Sequence, residues 1–158
     1  MAADRRMWCS CTIIDYLKGA ERAKPCIEII EHQRQGVREI VTSVLAEAEV
    51  AHLGADISHS DAEAMIKEFF GRLYIVRVPV DRFIAEEARR LVRSHSGLKA
   101  LDAVHIATAL RWKVPLLETF DDVLLALDGK EGDHRWASSC PSTAWGQYST
   151  FNVEQKRN

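Results

Sequence analysis

Residues 98–122, LKALDAVHIATALRWKVPLLETFDD, constrain the fold of this chain more than any other part of it. Ala103, Val104, Ile106, Ala107, Ala109 and Leu110 make one segment apolar nearly all round, which predicts a buried helix. One carboxylate, Asp102, stands at its entrance. A short turn follows, and residues 114–119 predict a strand that runs straight into Asp121. An unpaired buried charge is very costly, so Asp102 needs a partner. The free N–H groups and dipole of a helix start satisfy such an acid, and that is a structural role. A metal ion is the functional alternative. Taken alone, Asp102 favours the structural role.

The rest of the chain extends the same alternation. Residues 7–9 predict a first short strand, followed by an apolar segment with Ile13, Ile14 and Leu17 that Gly19 can terminate. A helix carrying Ile27, Ile29 and Ile30 ends near Gly36. Residues 38–42 predict a second strand, and Ser43 is placed to cap an alanine-rich helix over 44–53. Ser60, Asp61, Ala62 and Glu63 form a capping box that opens a helix to about Phe70. Residues 73–78 predict a third strand bounded by Pro79. Asp81 can cap a long helix to about Ser94, with Phe83, Ile84, Ala88 and Leu91 on its inner face. A short helix over 123–127 follows the last strand. The polar tail from Gly129 predicts loop and at most one edge strand. Strands alternating with helices predict one α/β domain: a mainly parallel central sheet with helices on both faces. We expect the domain to span 1–128, with 129–158 as a polar C-terminal tail that is either part of the same unit or partly flexible.

The totals narrow the class. At 158 residues with 47% apolar content, the chain is long enough for one core and too apolar for a disordered one. No apolar run reaches membrane-spanning length, and the start, MAADRRMWCSC, lacks the apolar stretch of a signal peptide, so a cytoplasmic location without membrane contact is expected. Four cysteines, Cys9, Cys11, Cys26 and Cys140, read as reduced thiols, and their spacing to the histidines matches no zinc pattern. A net charge of −2 argues against a protein that tracks long stretches of nucleic-acid backbone. Arg89, Arg90 and Arg93 read as a solvated helix face, as do Arg111 and Lys113. Trp8, Trp112, Trp136 and Trp145 lack a surrounding basic cluster, which favours core or interface roles over base stacking.

In open parallel sheets, chemistry gathers at the carboxyl ends of the strands. Cys9 and Ser10 close the first strand, Asp121 follows the last predicted one, and Asp102 opens the helix before it. The helix after the second strand offers Glu47 and Glu49, which point in different directions. Its apolar pattern is too continuous to choose between them. Carboxylates converging from separate segments suit a hard octahedral cation such as Mg²⁺, and such a site performs metal-assisted phosphodiester hydrolysis. A phosphatase of another α/β type has little support, because the first strand offers no Asp-x-Asp pair and no glycine-rich phosphate loop is present.

Four segments carry a family resemblance: LDAVHIATA at 101–109, LETFD at 117–121, WCSCTIIDYLKG at 8–19 and TSVLAEAEV at 42–50. In this order and spacing the chain resembles a PIN domain, and most of all the VapC-type toxin ribonucleases of bacterial toxin–antitoxin pairs. The resemblance implies metal-dependent RNA cleavage with Mg²⁺ or Mn²⁺. It assigns the metal-binding acids to Glu49, Asp102 and Asp121, choosing Glu49 over Glu47 by its spacing from the preceding serine. Ser10 and Thr119 match small hydroxyl residues that orient ligands or water from behind. His105 matches a common motif histidine, for which a structural, hydrogen-bonded role is expected. A homodimer and a cognate antitoxin covering the cleft are implied as well.

One position departs from the pattern. The family's first strand ends in an aspartate, the central metal ligand, and here that position is Cys9. A thiol is a poor ligand for Mg²⁺ and keeps its proton near neutral pH unless its pKa is lowered. Asp15 lies too far into the following helix to replace it. The leading expectation is an endoribonuclease toxin hydrolysing RNA phosphodiester bonds. The rival is a PIN-fold protein that binds antitoxin or RNA without cutting.

Overall fold

A computed structural model of the chain describes residues 4–36, 38–127 and 137–139. Five strands form one parallel sheet in the order β3-β2-β1-β4-β5: β1 Asp4–Trp8, β2 Arg38–Ser43, β3 Ile75–Val78, β4 Leu116–Glu118 and β5 Ala137–Ser139. Between them run α1 Ser10–Leu17, α2 Lys24–Arg34, α3 Leu45–Glu49, α4 His59–Phe70, α5 Arg82–Ser94, α6 Ala100–Arg111 and α7 Asp122–Leu125. The expected α/β architecture is the one found. β5 is the edge strand that the sequence allowed in the tail; the remainder of 128–158, with Trp136, Cys140 and Trp145, lies outside the described residues.

Period-two alternation explains why both faces are covered. Met7, Val41, Val78 and Leu117 point to one side, where Ile84, Ala88 and Leu91 of α5 and Ala103, Ile106 and Ala107 of α6 meet them. Trp8, Ile40 and Ile75 point to the other, against Ile13 of α1, Ile29 and Ile30 of α2 and Phe69 of α4. Trp8 stacks on Phe69 with ring centroids 6.3 Å apart, so this tryptophan is core. The whole run Ala103 to Ala109 of α6 is buried, as its all-round apolar surface requires.

Some local expectations fail, each for a physical reason. β1 begins at Asp4, not Met7, and ends at Trp8, leaving Cys9 as the N-cap of α1. The charged residues that hid it are paired: Arg5 reaches Glu39 on β2 at 2.8 Å, and Arg6 is buried against Glu118 of β4. α4 starts two residues early because Ser58, not Ser60, is the cap; its hydroxyl oxygen accepts from the Asp61 N–H at 3.1 Å. α3 ends at Glu49 instead of Leu53, and Ser43 sits one residue outside its cap, its Oγ accepting from Leu45 N–H. β3 begins at Ile75, and Leu73 lies fully exposed. Asp81 does cap α5, accepting from Ile84 N–H at 2.8 Å, but Phe83 is exposed. Ile84, Ala88 and Leu91 form the inner stripe, and Phe83 lies a third of a turn away beneath the Arg82 and Arg111 guanidinium groups.

Candidate functional site

The sheet order reverses between β1 and β4, so the carboxyl ends of these two strands open onto the switch point where open α/β sheets bind ligands. Four connections deliver side chains there. The exit of β1 supplies Cys9 and Ser10, α3 after β2 supplies Glu49, the first turn of α6 supplies Asp102, and the exit of β4 supplies Thr119 and Asp121.

The shortness of α3 separates the two glutamates. Glu47 turns outward and accepts from Arg77 of β3 at 2.6 Å. Glu49, on the last residue of the helix, turns inward, and its Oε2 lies 2.7 Å from Nε2 of His105. His105 is fully buried one turn beyond Asp102, and its Nδ1 has no hydrogen-bond partner among the described residues. It tethers α3 to α6 through Glu49, which is a structural hydrogen bond of the kind expected.

The three acids sit in unequal fields. Burial pushes the Glu49 carboxyl up, but the hydrogen bond and charge of His105 and the Ser10 hydroxyl outweigh it and hold it below its ordinary value. Asp102 moves the opposite way. Burial, then the charge of Asp121 and, more weakly, that of Glu49 raise it against the pull of His105 and Lys99. Asp121 caps α7, with Oδ1 accepting from Val123 N–H at 2.8 Å and Leu124 N–H at 3.2 Å. Its own N–H donates to Thr119 Oγ1 at 3.0 Å. Repulsion among carboxylates at one cleft is what a divalent cation relieves, and hard oxygens are the donors Mg²⁺ and Mn²⁺ accept. Among the described residues no three His, Cys, Asp or Glu side chains close on an ion by themselves. That is compatible with Mg²⁺, which is bound through one or two carboxylates and keeps several waters.

A pair of thiols occupies the end of β1. Cys9 Sγ lies 2.7 Å from Cys11 Sγ and 3.1 Å from Thr119 Oγ1, and Cys11 Sγ is 3.3 Å from the same oxygen. Burial first, then the neighbouring Cys11, push the Cys9 thiol well above its ordinary range, so it stays protonated. The proton it holds serves its neighbour: the hydrogen bond from Cys9, aided by Thr119 and the Phe120 N–H, lowers Cys11 to about 6 despite its burial. At Cys9 the cleft therefore presents a neutral group.

A family model of the PIN domain matches residues 10–130 of the sequence. The chain belongs to the PIN domain family. No curated protein matches it. Among solved structures the fold is similar to VapC20 of Mycobacterium tuberculosis, a toxin that cleaves the sarcin-ricin loop: TM-score 0.61 and 16% identity, over 77% of this chain and 94% of that one. At this identity the likeness is one of fold.

Two features of this PIN domain escaped the sequence reading. Glu118 is fully buried in β4, where it receives Arg6 and the Trp8 indole N–H, the latter at 2.7 Å. Its neighbour Thr12 donates to the Glu118 carbonyl at 2.9 Å, tying α1 to β4 beside the thiols. A glutamate and an arginine at strand positions carry no periodic signal, so only their juxtaposition across strands reveals them. Asp15, excluded as a ligand from its place in the sequence, is buried and paired with Arg22 and Lys18. No helix among the described residues is long and apolar enough to cross a membrane.

Proposed function

We propose that this chain is a VapC-type endoribonuclease toxin that hydrolyses RNA phosphodiester bonds with a divalent metal ion. The observation that carries the reading is the carboxyl of Asp102 at the switch point of a PIN fold, raised first by burial and then by the charges of Asp121 and Glu49. Asp102, Asp121 and Glu49 would hold the ion. A bound Mg²⁺ or Mn²⁺ supplies a nucleophilic water at neutral pH and neutralises charge developing on the phosphate. The chain's own contribution is positional. His105 and Ser10 keep Glu49 ionised and aimed inward, and Thr119 fixes the backbone from which Asp121 projects. A homodimer, a cognate antitoxin bound over the cleft and a cytoplasmic setting belong to the same proposal, as does a C-terminal tail that forms one unit with the domain through β5.

Cys9 favours a second reading. A protonated thiol replaces the family's first aspartate, which removes one negative charge and one hard ligand from the cleft. The scaffold would then bind antitoxin or RNA without cleaving.

Mn²⁺-dependent cleavage of a structured RNA by the native chain and by Cys9→Asp, with Asp102→Asn as the control for contaminating nuclease, separates the two. The ribonuclease reading expects cleavage by the native chain, absent in Asp102→Asn. Cleavage confined to Cys9→Asp would overturn cleavage by the native chain and mean a PIN scaffold held inactive at one position, with its function to be sought in binding. Absence of cleavage and of Mn²⁺ binding in both proteins would overturn the metal-dependent assignment.

A further inference from the structure

Cys9 and Cys11 flank Ser10 at the head of α1, and their sulfur atoms stand 2.7 Å apart. A disulfide needs about 2.05 Å, a fraction of an ångström closer. A tetrahedral zinc site, with Zn–S near 2.3 Å, would hold two thiolates roughly 3.8 Å apart. No third His, Cys, Asp or Glu completes a metal-holding group among the described residues. The pair is therefore set for a bond between its own sulfurs and not for a shared ion.

Access and chemistry divide the two roles. Cys9 is buried at 2% exposure, whereas Cys11 is half-buried and meets solvent first. Cys11 also carries the negative charge at neutral pH, stabilised by the proton that Cys9 retains. Cys26, shut inside the core on the other side of the sheet, has its thiol pushed far up by burial, and it serves as an unreactive internal reference.

We propose that Cys9 and Cys11 form an oxidisable dithiol, a modification site at the edge of the carboxylate cleft whose oxidant is a small-molecule disulfide. The Cys11 thiolate attacks one sulfur of that disulfide, forming a mixed disulfide and expelling a thiolate. Cys9 passes its proton to the expelled thiolate and attacks the Cys11 sulfur. The mixed bond breaks, and the second small thiol leaves with a proton from solvent. Two protein thiols are oxidised to one disulfide, and one small disulfide is reduced to two thiols. Thr119 Oγ1, in contact with both sulfurs, also accepts the Asp121 N–H, so the bond forms against the residue that anchors a cleft carboxylate.

The test uses the full chain and glutathione disulfide at neutral pH, followed by denaturation, alkylation, trypsin and mass spectrometry. Residues 7–18 lie between tryptic cuts at Arg6 and Lys18 and carry both thiols on one peptide. The expected product is that peptide unalkylated and lighter by two hydrogens, with Cys26 still fully alkylated. Cys9→Ser should leave glutathione trapped on Cys11. The native chain should close the bond faster than the chain in urea, on the order of tenfold, because folding supplies the thiolate and the approach. Recovery of a doubly alkylated peptide, or closure as fast in urea as in buffer, would overturn the proposal. The readout is a mass, so its outcome does not depend on whether the cleft cuts RNA.

Discussion

Glu118 and Asp102 are both carboxylates withdrawn from water, and their surroundings are opposite. Glu118 is enclosed within the sheet, with the Arg6 guanidinium and the Trp8 indole directed onto its two oxygens. Asp102 is half-buried at the head of α6 and faces two further acids, Asp121 and Glu49, against the pull of Lys99 and His105. A buried charge with its partners in place is part of the architecture, since removing one partner strands the other. A charge held next to like charges makes a poor strut and a good seat for a cation. The same residue class thus divides into a satisfied buried charge and a repelled one according to what faces it.

The largest effect is expected at the satisfied acid. Arg6→Met leaves Glu118 buried without its cation, a loss of about 3–5 kcal/mol of stability. For a chain of this size that lowers the melting temperature by on the order of 10 °C. Thermal unfolding followed by circular dichroism measures it. A shift of a degree or two would mean that Glu118 is neutral or otherwise served, and the contrast with Asp102 would collapse.

His105→Leu probes the acid that lies between these extremes. Glu49 is half-buried and depends on His105 Nε2 at 2.7 Å, so removing the ring nitrogen should cost about 1–3 kcal/mol at neutral pH. The pH dependence has a definite sign. Glu49 is lowered in the folded chain, so its contribution is complete above the unfolded carboxyl's value and is lost as pH falls through the lower, folded one. The native advantage over the variant should shrink across that acidic window in denaturant titrations. An advantage that stays constant across that window would assign the stabilisation to packing of the ring alone.

How much of this was legible in the sequence follows from the same distinction. Apolar periodicity revealed the helices and the parallel sheet, because a sheet covered on both faces must be built from apolar runs. It missed the first residues of β1, where Arg5 and Arg6 are polar at strand positions and are satisfied only by Glu39 and Glu118 from distant segments. It put Phe83 in the core, although the register of α5 is set by the Asp81 cap and turns that ring outward. At the cleft, periodicity left Glu47 and Glu49 unresolved, and three-dimensional pairing with Arg77 and His105 separates them. Cys9 was visible as a departure from the family pattern. Its partnership with Cys11 was not, because the two thiols meet through the extended conformation of Cys9 as the cap residue entering α1, which the sequence pattern does not fix.

Asp102→Asn sharpens the comparison most, although its effect is the smallest. Neutralising an acid that repels its neighbours should raise stability at neutral pH, by less than about 1 kcal/mol, where neutralising a paired acid would lower it. Asp102 is raised in the folded chain, so its ionised form disfavours folding above that value, and the penalty vanishes as pH falls through it toward the ordinary range. The variant's advantage should therefore be present at neutral pH and absent in acid. Added Mn²⁺ should reverse the order, stabilising the native chain and leaving the variant nearly unchanged, since a ligand that binds the folded state alone adds to its stability. Paired melting curves with and without Mn²⁺ measure both. If Asp102→Asn destabilises the metal-free chain, the acid is a helix-start strut like any other, and the cleft loses its strongest claim to a cation.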